Sequence, residues 1–108
     1  MENSVSVANH ISLKEWIEKS QVECQANFAF NTGKSNKYWM SAFDHLIELG
    51  CTKVSVGSSS NEYSDLMDEL FIELPENVSA SLLCYICDEL RPDEANVVSE
   101  KVIKLWWD

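Results

Sequence analysis

Apolar residues recur along the chain at helical spacing in some stretches and at alternate positions in others, with polar clusters between. Leu13, Trp16 and Ile17, with Cys24 two turns on, form one apolar stripe while Lys14, Glu15, Glu18 and Lys19 lie off it, which predicts an amphipathic helix over 12–25. Ser12 followed by Glu15 has the capping-box spacing at its start. Phe28 and Phe30 then alternate with small or polar neighbours ahead of Thr32 and Gly33, the pattern of a short strand over 27–31. A second helix is predicted over 35–49, capped by Ser35, with Trp39, Ala42, Phe43, Leu46 and Ile47 at helical spacing and Gly50 as its left-handed stop.

Val54 and Val56 alternate with Lys53 and Ser55, so 51–56 reads as a strand closed by the polar cluster 57–61. Leu66, Met67 and Leu70 suggest a helical turn within 63–70, ahead of a strand over 71–74 that ends at Pro75. Asn77 or Ser79 can cap a third helix reaching Leu90, with Leu82, Leu83, Ile86 and Leu90 inward, Arg91 at the negative helix end and Pro92 beyond it. The tail 97–107 fits either period. Its β-branched residues Val97, Val98, Val102 and Ile103 and the pair Trp106 and Trp107 favour a strand. The order helix, strand, helix, strand, strand, helix, strand predicts an α+β protein: a four-stranded ferredoxin-like βαββαβ sandwich preceded by an N-terminal helix.

Length sets the scale of that fold. A chain of 108 residues, 45% of them apolar and including four Trp, four Phe and three Tyr, can bury a core as one compact domain, with 1–10 as a frayed lead-in. The first residues lack the basic and apolar segments of a secretory leader, and no stretch is apolar enough to span a bilayer, so a cytoplasmic protein that does not bind membranes is expected. In that setting Cys24, Cys51, Cys84 and Cys87 are expected to be reduced thiols within the core.

Charge changes the picture most. Residues 54–100 hold eleven carboxylates and a single base, Arg91, whereas residues 1–53 hold six acids and five bases. Asp65, Asp68 and Glu69 are expected on successive helical turns with Glu62 just before them, and Asp88, Glu89, Asp93 and Glu94 cluster at the end of the third helix. Acids there oppose the helix macrodipole at up to about 1 kcal/mol each, a placement that weakens the fold and that a basic partner would compensate.

The residues that carry chemistry elsewhere have no supporting context. Cys84 and Cys87 have CxxC spacing but sit in mid-helix rather than at an exposed helix start, and no second ligand pair accompanies them. His45 has Asp44 and Glu48 beside it, yet no nucleophile can be assembled around it. The acids lack the glycine and spacing of a calcium loop, and neither HExxH nor a phosphate-binding glycine loop occurs. No catalytic residue, metal site or cofactor is therefore predicted.

The expected function is a non-catalytic acidic interaction protein. Glu62, Asp65, Asp68, Glu69, Asp88, Glu89, Asp93 and Glu94 would cover a basic protein surface, in the manner of an immunity protein or antitoxin masking a nuclease, or of a nucleic-acid mimic blocking a DNA-binding enzyme. Nucleic acid itself would be repelled. Two alternatives stand beside it. One is a small-ligand pocket lined by Phe28, Phe30, Trp39, Trp106 and Trp107. The other is a homodimer through the C-terminal strand, whose tryptophans would be exposed at a sheet edge.

Overall fold

The computed structural model describes residues 11–23, 27–57 and 67–107, together with their side chains except those of 20–23 and 30. Among these residues three helices share one core with the Val54, Val56, Leu70, Ile72 and Leu105 face of a four-stranded antiparallel sheet, so the α+β class holds.

Helix α1 spans Leu13–Glu23 and begins at the expected cap. Ser12 Oγ accepts from the Glu15 amide at 3.0 Å, and its hydroxyl donates to the Glu15 carboxylate at 3.2 Å, a side-chain version of the reciprocal box. Leu13, Trp16 and Ile17 are buried. Just before the helix, Ser12 bridges to Ser55 and the Val56 amide donates to the Ile11 carbonyl at 3.0 Å, so the chain lies along one strand edge before turning.

The predicted strand over 27–31 is instead a turn followed by a single 3₁₀ turn, Phe30–Thr32. Its backbone polar groups find partners outside a sheet. The Phe28 amide donates to buried Asn36 Oδ1 at 2.8 Å, the Ala29 amide to the Met67 carbonyl at 2.7 Å, and the Thr32 hydroxyl to the Ala29 carbonyl at 2.8 Å. Ala29 holds a φ of 44° to allow this.

Helix α2, Asn36–Glu48, is capped by Ser35, whose Oγ accepts from the Tyr38 amide at 3.2 Å. Trp39, Ala42 and Leu46 are buried, while Ile47 is exposed. Gly50, at φ 105°, sends the chain into the sheet.

The strands are β1 (Lys53–Gly57), β2 (Glu69–Glu73), β3 (Glu94–Val97) and β4 (Val102–Trp106), in the order β1-β2-β4-β3. Residues 67 and 68 are irregular and 69 and 70 belong to β2, so the helical turn expected there does not extend to them; 63–66 lie outside the described residues. The tail forms two strands joined at Val98–Lys101 rather than one, with the Val98 amide donating to the Val102 carbonyl at 2.8 Å. With a turn at 27–31 in place of a strand and two strands in the tail, the described residues do not match the ferredoxin-like βαββαβ order. Among the described residues the element order is ααββαββ, and β2 reaches β3 by a helical crossover that leaves β4 between them.

That crossover is α3, Ala80–Cys84, capped by Ser79 and continued by one widened π turn, Tyr85–Leu90. Leu82, Ile86 and Leu90 are buried, but Leu83 is 53% exposed. In an α-helix of about 3.6 residues per turn, a four-residue step drifts around the axis. The wider turn reverses that drift, so 82, 86 and 90 share one face and Leu83 and Cys87 fall outside it. Arg91 ends the helix in the left-handed region, at φ 49°. No helix among the described residues is long and apolar enough to cross a membrane.

Candidate functional site

Strand register decides where the acids go. On the sheet face away from the helices, Trp106 lies between Glu69 of β2 and Glu94 of β3 as direct cross-strand neighbours. Asp68 Oδ2 accepts from Trp106 Nε1 at 3.2 Å, and the Asp93 amide donates to the Trp106 carbonyl at 2.8 Å. Four of the expected partner-binding acids, from two segments far apart in sequence, are thus brought next to one tryptophan at the sheet end where β4 finishes, Asp93 through its backbone amide. Asp88 and Glu89 are exposed on the π turn, whose Leu90 carbonyl accepts from the indole of the next residue, Trp107, at 2.8 Å. Glu62 and Asp65 lie outside the described residues.

These acids are not equivalent. Glu94, Asp93, Asp88 and Glu89 face solvent, Asp68 is half-buried, and Glu69 is 9% exposed with its carboxylate 3.6 Å from Lys104 Nζ. Burial holds the Glu69 carboxyl above the usual carboxylate range, with the Lys104 ammonium opposing and Asp68 adding to the shift. A carboxyl whose pKa is raised by folding stabilises the fold below its unfolded pKa and loses that contribution as pH rises through the folded value. Glu69→Gln is therefore expected to raise the denaturation midpoint at neutral pH, with the gain shrinking to nothing in acid. Parallel thermal melts across that range check it; a loss at neutral pH would mean that the Lys104 pair outweighs burial.

The aromatic residues divide between the two faces. Phe28, Trp39 and Trp107 form one edge-to-face cluster, with Phe28 and Trp39 centroids 4.9 Å apart and Trp39 and Trp107 5.1 Å apart. Trp106 lies on the opposite face and Phe30 has no described side chain, so the expected five-residue pocket is not assembled as such. A cleft of about 250 Å³ does open beside the cluster, lined by Thr32, Lys34, Tyr38, Trp39, Glu89, Leu90, Arg91 and Trp107. Tyr38 spans one side, its hydroxyl donating to Glu89 Oε2 at 2.9 Å while Lys34 Nζ lies 4.8 Å from its ring centroid. Burial foremost, then the Glu89 carboxylate, raises the Tyr38 pKa, so its hydroxyl stays a donor. Trp39 Nε1 is buried without a hydrogen-bond partner, a condition that costs about 1–3 kcal/mol.

No known protein family, curated protein or solved structure matches the chain. The site's chemistry therefore rests on its own residues. Sequence reasoning missed Lys34, Tyr38 and Arg91 as neighbours of the tryptophans. Arg91 alone carried a signal, as the one base in a long acidic stretch.

The C-terminal strand is interior, between β2 and β3, and Trp107 is 4% exposed. The edge on which the homodimer alternative rested belongs to β3 instead. His45 sits on α2 with Nδ1 3.4 Å from Glu48 Oε1 and its ring 4.4 Å from that of Tyr85. Among the described residues no three His, Cys, Asp or Glu side chains converge as metal ligands.

The cysteines are only partly core residues. Cys51 is buried, and burial pushes its thiol up to about 11, but Cys84 and Cys87 are exposed because the π turn keeps the buried face on 82, 86 and 90. Cys24 lies outside the described residues. Iodoacetamide applied to the native protein near neutral pH is expected to label Cys84 and Cys87 and to reach Cys51 only on unfolding. Peptide mapping by mass spectrometry reads this directly, and early labelling of Cys51 would contradict its burial.

Proposed function

We propose that the chain is a non-catalytic acidic interaction protein, acting in the cytoplasm, whose anionic sheet end covers a basic surface on a partner protein. The observation that carries this reading is the convergence of Asp68, Glu69, Asp93 and Glu94 around Trp106. Half-buried Asp68 and exposed Glu94 flank a half-buried indole, and aromatic anchors within polar rims are where interface energy concentrates. Exposed carboxylates at this end would steer a cationic protein toward contact and lose that pull as salt screens them beyond about 10 Å at 0.1 M. A nuclease or DNA-binding protein presents a basic surface of this kind, and occupying it would keep nucleic acid away.

Charge removal with retained shape tests the proposal. Asp68→Asn keeps an acceptor for the Trp106 indole, and Asp93→Asn with Glu94→Gln removes two more charges at exposed positions. Against a panel of basic nucleases and DNA-binding proteins, the parent protein is expected to bind at low salt and elute along a salt gradient, and the triple variant to elute early or not to bind. Equal retention of the two, or partners indifferent to salt, would refute it.

A further inference from the structure

We infer that the cleft between α2 and the π turn is a binding site for a small planar carboxylate, independent of the acidic sheet end. Its charge is opposite to that of its surroundings. Arg91 is the only base in residues 54–100, and it lines this cleft together with Lys34. The one carboxylate in the lining, Glu89, accepts from the Tyr38 hydroxyl at 2.9 Å and is outnumbered by the two cations, which leaves a net positive lining.

The backbone is arranged for the same residue. Arg91 follows a π turn, its amide donating to the Ile86 carbonyl at 3.0 Å, and it holds φ at 49°. Helices commonly end in that conformation with glycine, which carries no Cβ strain. Attraction to the negative end of the helix dipole explains a base near the helix end but not a residue with a Cβ at this φ. Strained positions of this kind cluster where a side chain must be aimed at a ligand, and π turns do likewise.

The remaining lining fixes the body of the ligand. Trp39, Trp107 and Leu90 are buried and supply an apolar, aromatic wall, and Thr32 adds a polar group. At about 250 Å³ the cleft has room for a single ring bearing a short acid, and not for a nucleotide or a peptide segment. An aromatic monocarboxylate satisfies both features: anion to Lys34 and Arg91, ring to the apolar wall.

Benzoate is the test probe, with benzamide and benzylamine as neutral and cationic counterparts and inorganic phosphate as an anion without a ring. Titrations followed by the indole N–H resonances of Trp39 and Trp107 are expected to show saturable shifts with benzoate at millimolar concentration or below, and at least about tenfold weaker responses to the other three. Arg91→Gly removes the cation and relieves the backbone, so it is expected to keep or raise the melting temperature while weakening benzoate at least about tenfold. Lys34→Met, at an exposed loop position, gives a second cation deletion should the first disturb the turn. Benzoate and benzamide binding alike, phosphate binding in preference to benzoate, no response to benzoate, or unchanged affinity in both variants would each overturn the assignment.

Discussion

Trp39→Ala is expected to destabilise the protein by about 3–5 kcal/mol, a large share of the roughly 5–15 kcal/mol that holds a domain of this size together. The indole is 1% exposed and meets Phe28 at 4.9 Å and both Tyr38 and Trp107 at 5.1 Å, centroid to centroid. Through these contacts it ties the first turns of α2 to the 28–32 turn and to the residue after β4. Two effects oppose each other in the substitution. Removing the ring opens a cavity that the edge-to-face neighbours cannot refill, whereas removing the unpartnered Nε1 returns up to about 1–3 kcal/mol. Trp39→Phe separates them, because it keeps most of the ring contact and drops the unpaired N–H. It is expected to cost far less than alanine. Urea denaturation followed by circular dichroism measures both, and an alanine variant within about 0.5 kcal/mol of the parent would mean that the cluster does not bear on stability as its packing requires.

What the sequence reveals of this fold depends on whether the deciding contacts are local. The starts of α1, α2 and α3 are legible because Ser12, Ser35 and Ser79 each satisfy an amide three residues on, and a pattern within one turn specifies such a contact. The segment 27–31 is not legible in the same way. Phe28 and Phe30 alternate as strand residues do, but its amides are claimed by Asn36 and by the Met67 carbonyl, partners that no local period reveals. The tail misleads for another reason: Val97 and Val98 continue the β-branched run straight into a turn that contains Ser99, Glu100 and Lys101 but no glycine, proline or asparagine.

The acids show the same limit at the level of the site. Asp68 and Glu69 were expected on a helix, where their neighbours would have been other acids of the same turn. In β2 the register gives Glu69 to Trp106, and Trp106 to Glu94 on its other side, so the acids converge by strand pairing rather than by helical spacing. The charge asymmetry of the chain was therefore readable, but the tryptophan at its centre was not. The cleft beside Trp39 was half-readable: its aromatic wall follows from composition, and its cations depend on a π turn and a left-handed arginine that no propensity predicts.

Gly57→Ala is expected to cost about 1–3 kcal/mol, although alanine is favoured over glycine within regular structure by roughly 0.5–1 kcal/mol. The reason is space and not backbone conformation. A Cβ at Gly57 would stand 2.6 Å from Phe71 Cε1 and 3.2 Å from Glu69 Oε1. An aromatic ring at the end of a free side chain could swing away cheaply, but Phe71 is 3% exposed and Glu69 is 9% exposed, so neither has open solvent to move into. The ring of Phe71 thus lies over the last residue of β1, and the missing side chain of Gly57 is the room it occupies. A double-mutant cycle makes the claim specific: in a Phe71→Leu background the clash is gone, and Gly57→Ala is expected to become neutral or stabilising, a coupling of at least about 1 kcal/mol. Equal cost in the two backgrounds would assign the effect to the strand itself. Because Glu69 shares this contact and pairs with Trp106, crowding at Gly57 is also expected to disturb the acidic sheet end, seen as a shift of the Trp106 indole N–H resonance in the alanine variant and its return in the double variant.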